Sequence, residues 1–170
     1  MKEALGGSAH HLTYLGLGSN IGDKKAYLNY AIASISAKIG ILRAKSSVFL
    51  TDPWGLYEQP AFFNQVVLVE TLLSPESLLR EIQAIEREMG RERITKWDKR
   101  IIDIDILFYD QIVYRSDTLQ IPHPWIEQRN FVLAPLAEIA PTFIHPISKK
   151  TIQELLESST DPLRAIPIET

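Results

Sequence analysis

An antiparallel sheet with helices packed on it, ordered βαββαβ, is the fold class that the sequence predicts. Three observations predict it. Short apolar, β-rich runs recur along the first 110 residues. Two stretches between them carry apolar residues at helical spacing. Each of those stretches opens on a residue suited to capping a helix. Strand, helix, strand, strand, helix, strand is the order of a ferredoxin-like α+β sandwich, and appended elements follow the fourth strand.

The elements run as follows. Residues 1–11 read as a flexible tail containing "GGSAHH", with His10 and His11 as tail residues rather than metal ligands. A single domain is expected over 12–160, followed by a loosely attached tail over 161–170 with Pro162 and Pro167. Leu12 to Leu17 is a short apolar strand bounded by "GSNIGD". Asp23 is a plausible N-cap, and Leu28, Ala31, Ile32, Ile35 and Ile39 form a stripe that Gly40 can close. Ile41 to Leu50 is partly alternating and reads as one strand. "TDPWGLYEQPA" is a Pro/Gly loop, and Phe62 to Leu73 a buried strand. Ser74 at N-cap and Pro75 at N1 start the second helix, whose stripe is Leu78, Ile82, Ile85 and Met89 and whose end is Gly90. After "RERITKWDK" comes the fourth strand, with Ile112 to Tyr114 turning back beside it. "IPHPW" is a rigid turn, a short helix spans Val132 to Ile139, and Thr151 with Glu154 forms a capping box.

Composition narrows the function classes. The 170 residues are 45% hydrophobic and 23% charged, which suits a globular chain with a real core. Net charge is −3, so a nucleic-acid partner is disfavoured. No cysteine is present, which excludes disulfides and thiolate metal sites. No apolar run approaches the roughly 20 residues of a membrane span. The first residues make a poor signal peptide, and a cytoplasmic protein is expected.

The chemistry concentrates in "KRIIDIDILFYD". Residues two apart in a strand share a face, so Asp103 and Asp105 point together, with Ile102, Ile104, Ile106 and Phe108 pointing the other way. An amphipathic strand with one solvated face would give the same spacing. Against that reading, Ile101, Leu107 and Tyr109 fall on the aspartates' side. Two carboxylates this close on a half-buried surface repel, and a hard divalent cation removes the conflict. Just upstream, Arg91, Arg93, Lys96, Lys99 and Arg100 surround Trp97. This is either an ordinary charged loop or the equipment that neutralises a polyphosphate. "GLGSNIG" lacks the dinucleotide spacing and no P-loop occurs, so "GLGSN" reads as a strand-to-helix turn. Asn64 offers a donor and an acceptor near Phe62, which suits a planar heterocycle or a satisfied polar group in a core. His123 is held between prolines, with Arg129 and Phe131 downstream.

From about Thr13 to His145 the chain resembles the 6-hydroxymethyl-7,8-dihydropterin pyrophosphokinases of folate biosynthesis. The matching pieces are "LGLGSNIGD", "EQPAFFNQVV", "RIIDIDILFY" and "IPHPWIEQRNFVLAPLAEIAP", in that order. The resemblance implies transfer of the pyrophosphoryl group of ATP to the pterin's hydroxymethyl oxygen, with release of AMP, on a ferredoxin-like fold. It implies Asp103 and Asp105 as ligands of two Mg²⁺ ions. It implies Thr51, Trp54, Phe62, Asn64 and Phe131 around the pterin, with the two phenylalanines sandwiching its ring. Gln83, Glu86, Arg93, Arg100, Ile106, His123 and Arg129 correspond to nucleotide contacts. Arg91, Arg93, Trp97 and Arg100 correspond to catalytic residues of or beside a loop that closes as a lid. ATP and the pterin are the expected partners, with no nucleic acid, no membrane and a monomeric state. Asp98-Lys99 departs from the family's usual Gly-Pro or small residues, and Thr118 and Gln120 stand where some members have other ATP-contacting side chains. A non-catalytic RNA- or effector-binding module and a degenerate, pterin-binding member are the rival readings.

Overall fold

Alternation along the first strand decides how the sheet sits. β1 (His11–Ser19) buries Leu15 and Leu17 on one face and turns Gly16 and Gly18 to the other. In this computed structural model, which describes residues 9–52, 60–90 and 101–168, β1 is flanked by β4 (Phe62–Thr71) and β5 (Asp103–Tyr109), both antiparallel to it. β2 (Gly40–Lys45) and β3 (Phe49–Thr51) both pair with β4, and the main path is β5-β1-β4-β3-β8, where β8 is Ala165–Pro167. This is the ferredoxin-like order, with β2 and β3 sharing the place of one strand.

The expected strand over 41–50 divides for a local reason. The register shifts between Leu42 and Ala44, and Ser46 then serves as a splice. Its N–H donates to Val66 O at 2.8 Å, and its hydroxyl accepts from Val66 N at 3.0 Å. The backbone groups of β4 are satisfied across the gap without a continuous partner.

α1 (Lys24–Lys38) and α2 (Pro75–Glu88) cover the Leu15 face. Both start as expected: Asp23 Oδ1 accepts from Ala26 N at 3.1 Å, and Ser74 Oγ accepts from Ser77 N at 3.4 Å. Leu28, Ile35, Leu78, Ile82 and Ile85 are essentially inaccessible, each burial contributing about 1.5–3 kcal/mol. Gly90 ends α2 at φ 82°, but Gly40 is no left-handed cap. It already belongs to β2, where a Cβ would stand 2.0 Å from Glu70 O, so close strand approach is what requires it.

The opposite face is divided. α3 (Asn130–Ile139) and α4 (Ile152–Glu157) cover one half of it, over Val66, Leu107 and Phe108. The Thr151–Glu154 capping box opens α4 as expected. The other half carries Asp103, Gly18, Asn64 and Phe62, and the candidate site lies there.

Further expectations need correction. Phe108 does not lie with Ile102, Ile104 and Ile106, nor Tyr109 with the aspartates. Tyr14 pairs with Phe108 but Leu15 with Ile106, so Leu107 is an extra residue. That bulge reverses the alternation beyond it, sending Phe108 to the α3 side and Tyr109 to the α1–α2 side. Ile101 precedes β5 and also packs on the α1–α2 core.

Ile112 to Tyr114 does not turn back beside β5. Asp110, at φ 46°, redirects the chain, and β6 (Tyr114–Arg115) pairs with β7 (Gln120–Ile121) as a separate ribbon. The C-terminal residues are not a loose tail. β8 pairs with β3 and Ile168 N donates to Val48 O at 2.9 Å, because β3 would otherwise leave an unpaired edge. Nor is His11 a tail residue: it opens β1 and its Nδ1 lies 2.6 Å from Asp110 Oδ2, while His10 Nδ1 lies 2.8 Å from Glu70 Oε1. No helix among the described residues is long and apolar enough to cross a membrane.

Candidate active site

Register across three strands assembles the site. Gly18 is opposite Asp103 on β5 and opposite Asn64 on β4, and Asn64 is in turn opposite Phe49 on β3. One step along, Gly16 is opposite Asp105 and Val66. Directly paired residues share a face, so two carboxylates, two bare glycines and an amide form a common surface. Both aspartates are half-buried, and β5 holds them on one side of the bulge, before the alternation reverses.

Asn64 and Thr51 act as one unit. Asn64 Nδ2 donates to Thr51 Oγ1 at 2.6 Å, and both residues are buried. Phe62, opposite Thr51, lies on the same face. Hydrogen bonding to Thr51 leaves its own hydroxyl proton available to an acceptor outside the pair. The wall beyond is the start of α3, where Phe131 packs at the edge of the second core.

His123 and Arg129 gather near Asp103. The bulge helps place the histidine: His123 N donates to Leu107 O at 3.0 Å. Burial first and the Arg129 guanidinium second push the imidazole down, Asp103 opposes both, and the net result is about 4. At neutral pH His123 is therefore uncharged. Its Nδ1 accepts from Trp125 N at 3.3 Å, which leaves Nε2 to carry the proton as a donor. Arg129 supplies the positive charge instead, with its guanidinium carbon 6.0 Å from the Trp125 ring centre and 5.4 Å from that of Phe131.

Gln83 and Glu86 sit three residues apart near the end of α2, so they lie on one side of the helix, and Glu86 is buried. Ile106 is set apart from the other candidates: its side chain faces the α1–α2 core at 4% exposure. Trp54, Arg91, Arg93, Trp97 and Arg100, together with the expected lid and Asp98-Lys99, lie outside the described residues. Among the described residues no three His, Cys, Asp or Glu side chains form a metal cluster. The aspartate pair therefore offers two ligands at most, as suits a cation that keeps waters and phosphate oxygens.

Sequence reasoning missed three participants. Gly18 looked like part of a turn, Trp125 like part of a rigid loop, and Asp161 like tail. Asp161 Oδ2 accepts from Asn130 N at 2.8 Å and so caps α3, whose own N-cap Arg129 supplies no side-chain bond. No local signal links residues 31 positions apart.

The fold and site together define a class: a ferredoxin-like α+β enzyme domain with oxygen donors, an amide and aromatic rings on the open half of one sheet face. The chain belongs to the 7,8-dihydro-6-hydroxymethylpterin-pyrophosphokinase family, whose model matches residues 14–141. It is 42% identical over 147 residues to the 2-amino-4-hydroxy-6-hydroxymethyldihydropteridine pyrophosphokinase of Aquifex aeolicus, covering 86% of this chain and 91% of that one. To the enzyme of the same name from Methylorubrum extorquens it is 43% identical over 150 residues, covering 88% and 93%. Among solved structures, the Plasmodium falciparum HPPK-DHPS with pteroate superposes with TM-score 0.72 at 18% identity, over 88% of this chain and 42% of that one. At that identity the likeness concerns the fold.

Proposed function

We propose that this protein transfers the pyrophosphoryl group of ATP to the hydroxyl of 6-hydroxymethyl-7,8-dihydropterin, giving the pterin diphosphate and AMP. Family membership supports the reaction class. The observation that carries the reading is the row Asp103–Gly18–Asn64, which sets an oxygen-donor pair beside an amide on one rigid surface.

The donor chemistry of the aspartate pair fits Mg²⁺: hard carboxylate oxygens, two residues apart, on one strand face. Two Mg²⁺ ions bound there with ATP would supply neutralisation of phosphate charge. The protein's own part is positioning. Thr51, Trp54 and Asn64 would bind the pterin edge, with Phe62 and Phe131 on its two faces. Gln83, Glu86, His123 and Arg129 would hold the nucleotide, together with Arg93 and Arg100. Ile106 could take part only through its main chain, since its side chain is turned into the core. Neutral His123 would give a hydrogen bond to a phosphate oxygen, and Arg129 a charge. Arg91 and Trp97 would close over the substrates and exclude water. A monomer working in the cytoplasm completes the proposal.

The test is incubation of the purified chain with Mg-ATP and the hydroxymethyl pterin, followed by nucleotide analysis. AMP formed in step with pterin diphosphate, and abolished by EDTA, is the expected result. ADP as product, or no pterin-dependent nucleotide turnover, would refute it.

A further inference from the structure

An amide recognises a ligand only if something fixes which end carries the oxygen. In Asn64 one end is tied, through Nδ2 to Thr51 Oγ1 at 2.6 Å. The other end, Oδ1, lies only 2.8 Å from the point where a Cβ on residue 18 would stand. Gly18 does not need to be glycine for its backbone. The positive-φ glycines among the described residues are Gly22 and Gly90, and Gly18 lies inside β1, paired on both sides. Space is what requires it, and the space is occupied by the amide oxygen.

The neighbouring glycine gives the contrast. A Cβ on Gly16 would meet the Leu107 side chain at 3.4 Å, which the end of a leucine accommodates with a small shift. A Cβ on Gly18 would meet Asn64 first and Phe62 Cδ1 next, at 3.6 Å. The tight contact is with the amide alone.

We infer that Gly18 is a positioning residue for substrate recognition: its missing side chain holds the Asn64 amide in one orientation and keeps the floor between amide and carboxylates bare. The inference rests on the proposed role of Asn64. Gly18 is the cross-strand partner of both Asn64 and Asp103, which puts those two about 10 Å apart across two strand spacings. A bicyclic ring at Asn64 with its phosphate-accepting arm directed toward Asp103 would therefore pass over Gly18.

The experiment uses the whole chain in four forms: Gly18→Ala, Gly16→Ala, Asn64→Ala and the double variant Gly18→Ala/Asn64→Ala. Calorimetry measures hydroxymethyl pterin and a non-hydrolysable Mg-ATP analogue separately, and NMR follows the Asn64 side-chain NH₂ without ligand. Gly18→Ala is expected to shift that resonance and weaken pterin binding roughly tenfold or more, as for a polar pairing lost in a desolvated site. The ATP analogue should hold within about twofold, and Gly16→Ala, whose added Cβ meets Leu107 and not the amide, should leave the Asn64 resonance unmoved. In the Asn64→Ala background, Gly18→Ala should add little, since its effect runs through the amide. Unchanged pterin affinity and an unmoved Asn64 resonance in Gly18→Ala would overturn the inference, as would an equal loss in both backgrounds. If Gly18→Ala does not fold, the double variant must, because the clashing oxygen is gone; its failure to fold would also overturn it. Absence of pterin binding by the unaltered chain would refute the proposed function instead, and the resonance would still decide the role of Gly18.

Discussion

The two faces of the sheet are made from alternate residues of the same strands, yet they follow different rules. The α1–α2 face is continuous: Leu15, Leu17, Val67, Val69, Ile104 and Ile106 meet two helices with complementary stripes. The other face is closed over Val66, Leu107 and Phe108 and polar over Asp103, Gly18 and Asn64. One face spends its residues on cohesion, and the open half of the other carries the groups proposed to bind substrate. Stability and activity should therefore separate by side-chain parity along a strand.

The sharpest way to break that separation lies in β5. Asp103→Asn and Asp105→Asn should each cut pyrophosphoryl transfer at least about a hundredfold, the scale of losing one preorganised electrostatic group. Stability should hold or rise, because removing one charge eases repulsion between neighbours. Melting curves beside turnover at saturating Mg-ATP check both halves. Near-normal turnover, or a large melting loss as the sole defect, would defeat the metal role. The mirror experiment is Ile82→Ala. It should cost about 2–5 kcal/mol in urea unfolding and leave ligand affinities of the folded protein nearly unchanged.

Asn64→Ala should weaken pterin binding by roughly ten- to a hundredfold, with the ATP analogue affected much less. Equal losses in calorimetry would move Asn64 from recognition to scaffold.

The smallest expected effect is on pH. Burial lowers both His123, to about 4, and His145, and both belong to the α3 side, where His145 meets Phe108 edge-on at 5.4 Å. The unfolded chain takes up protons near 6.5 while the folded histidines stay neutral, so falling pH favours unfolding. This contribution is fully present above about 6.5 and is lost as pH falls toward about 4. Urea midpoints from pH 7 to pH 4.5 should decline, and His145→Gln should flatten the decline. An unchanged slope would place the acid sensitivity elsewhere.

Much of the α1–α2 face was legible because helical spacing and caps are local. The stripes Leu28–Ile35 and Leu78–Ile85 pointed where they were expected to point, and Asp23 and Ser74 capped as expected. The aspartate pair and the Asn64–Phe62 pair were legible for the same reason, since each rests on a two-residue alternation. What escaped depends on distant partners. The Leu107 bulge exists only relative to β1, and its carbonyl is taken by His123. β8 is three residues containing a proline, and only the open edge of β3 makes it a strand. Gly18 required the position of an amide 46 residues away, which composition and spacing do not encode.

The cap on α3 has a consequence for how the site comes into being. The helix bearing Phe131 has no side-chain cap of its own; Asp161 provides it, and the Asn130 side chain then reaches Asp161 O and Leu163 O at 3.2 and 2.9 Å. Because synthesis runs from the N-terminus, β1 to β5, which supply Leu15, Leu17, Val67, Val69, Ile104 and Ile106 to the α1–α2 face, are made before this latch. A nascent chain can thus form most of its hydrophobic face while one wall of the site is still unsecured, and assembly of the site follows that of the face. A chain stopped at residue 160 should keep slow amide exchange in β1, β4 and α2. Its first α3 turn should exchange faster, by the factor that losing a cap of about 0.5–2 kcal/mol allows. Equal protection of that turn in both chains would show that the wall stands without its latch.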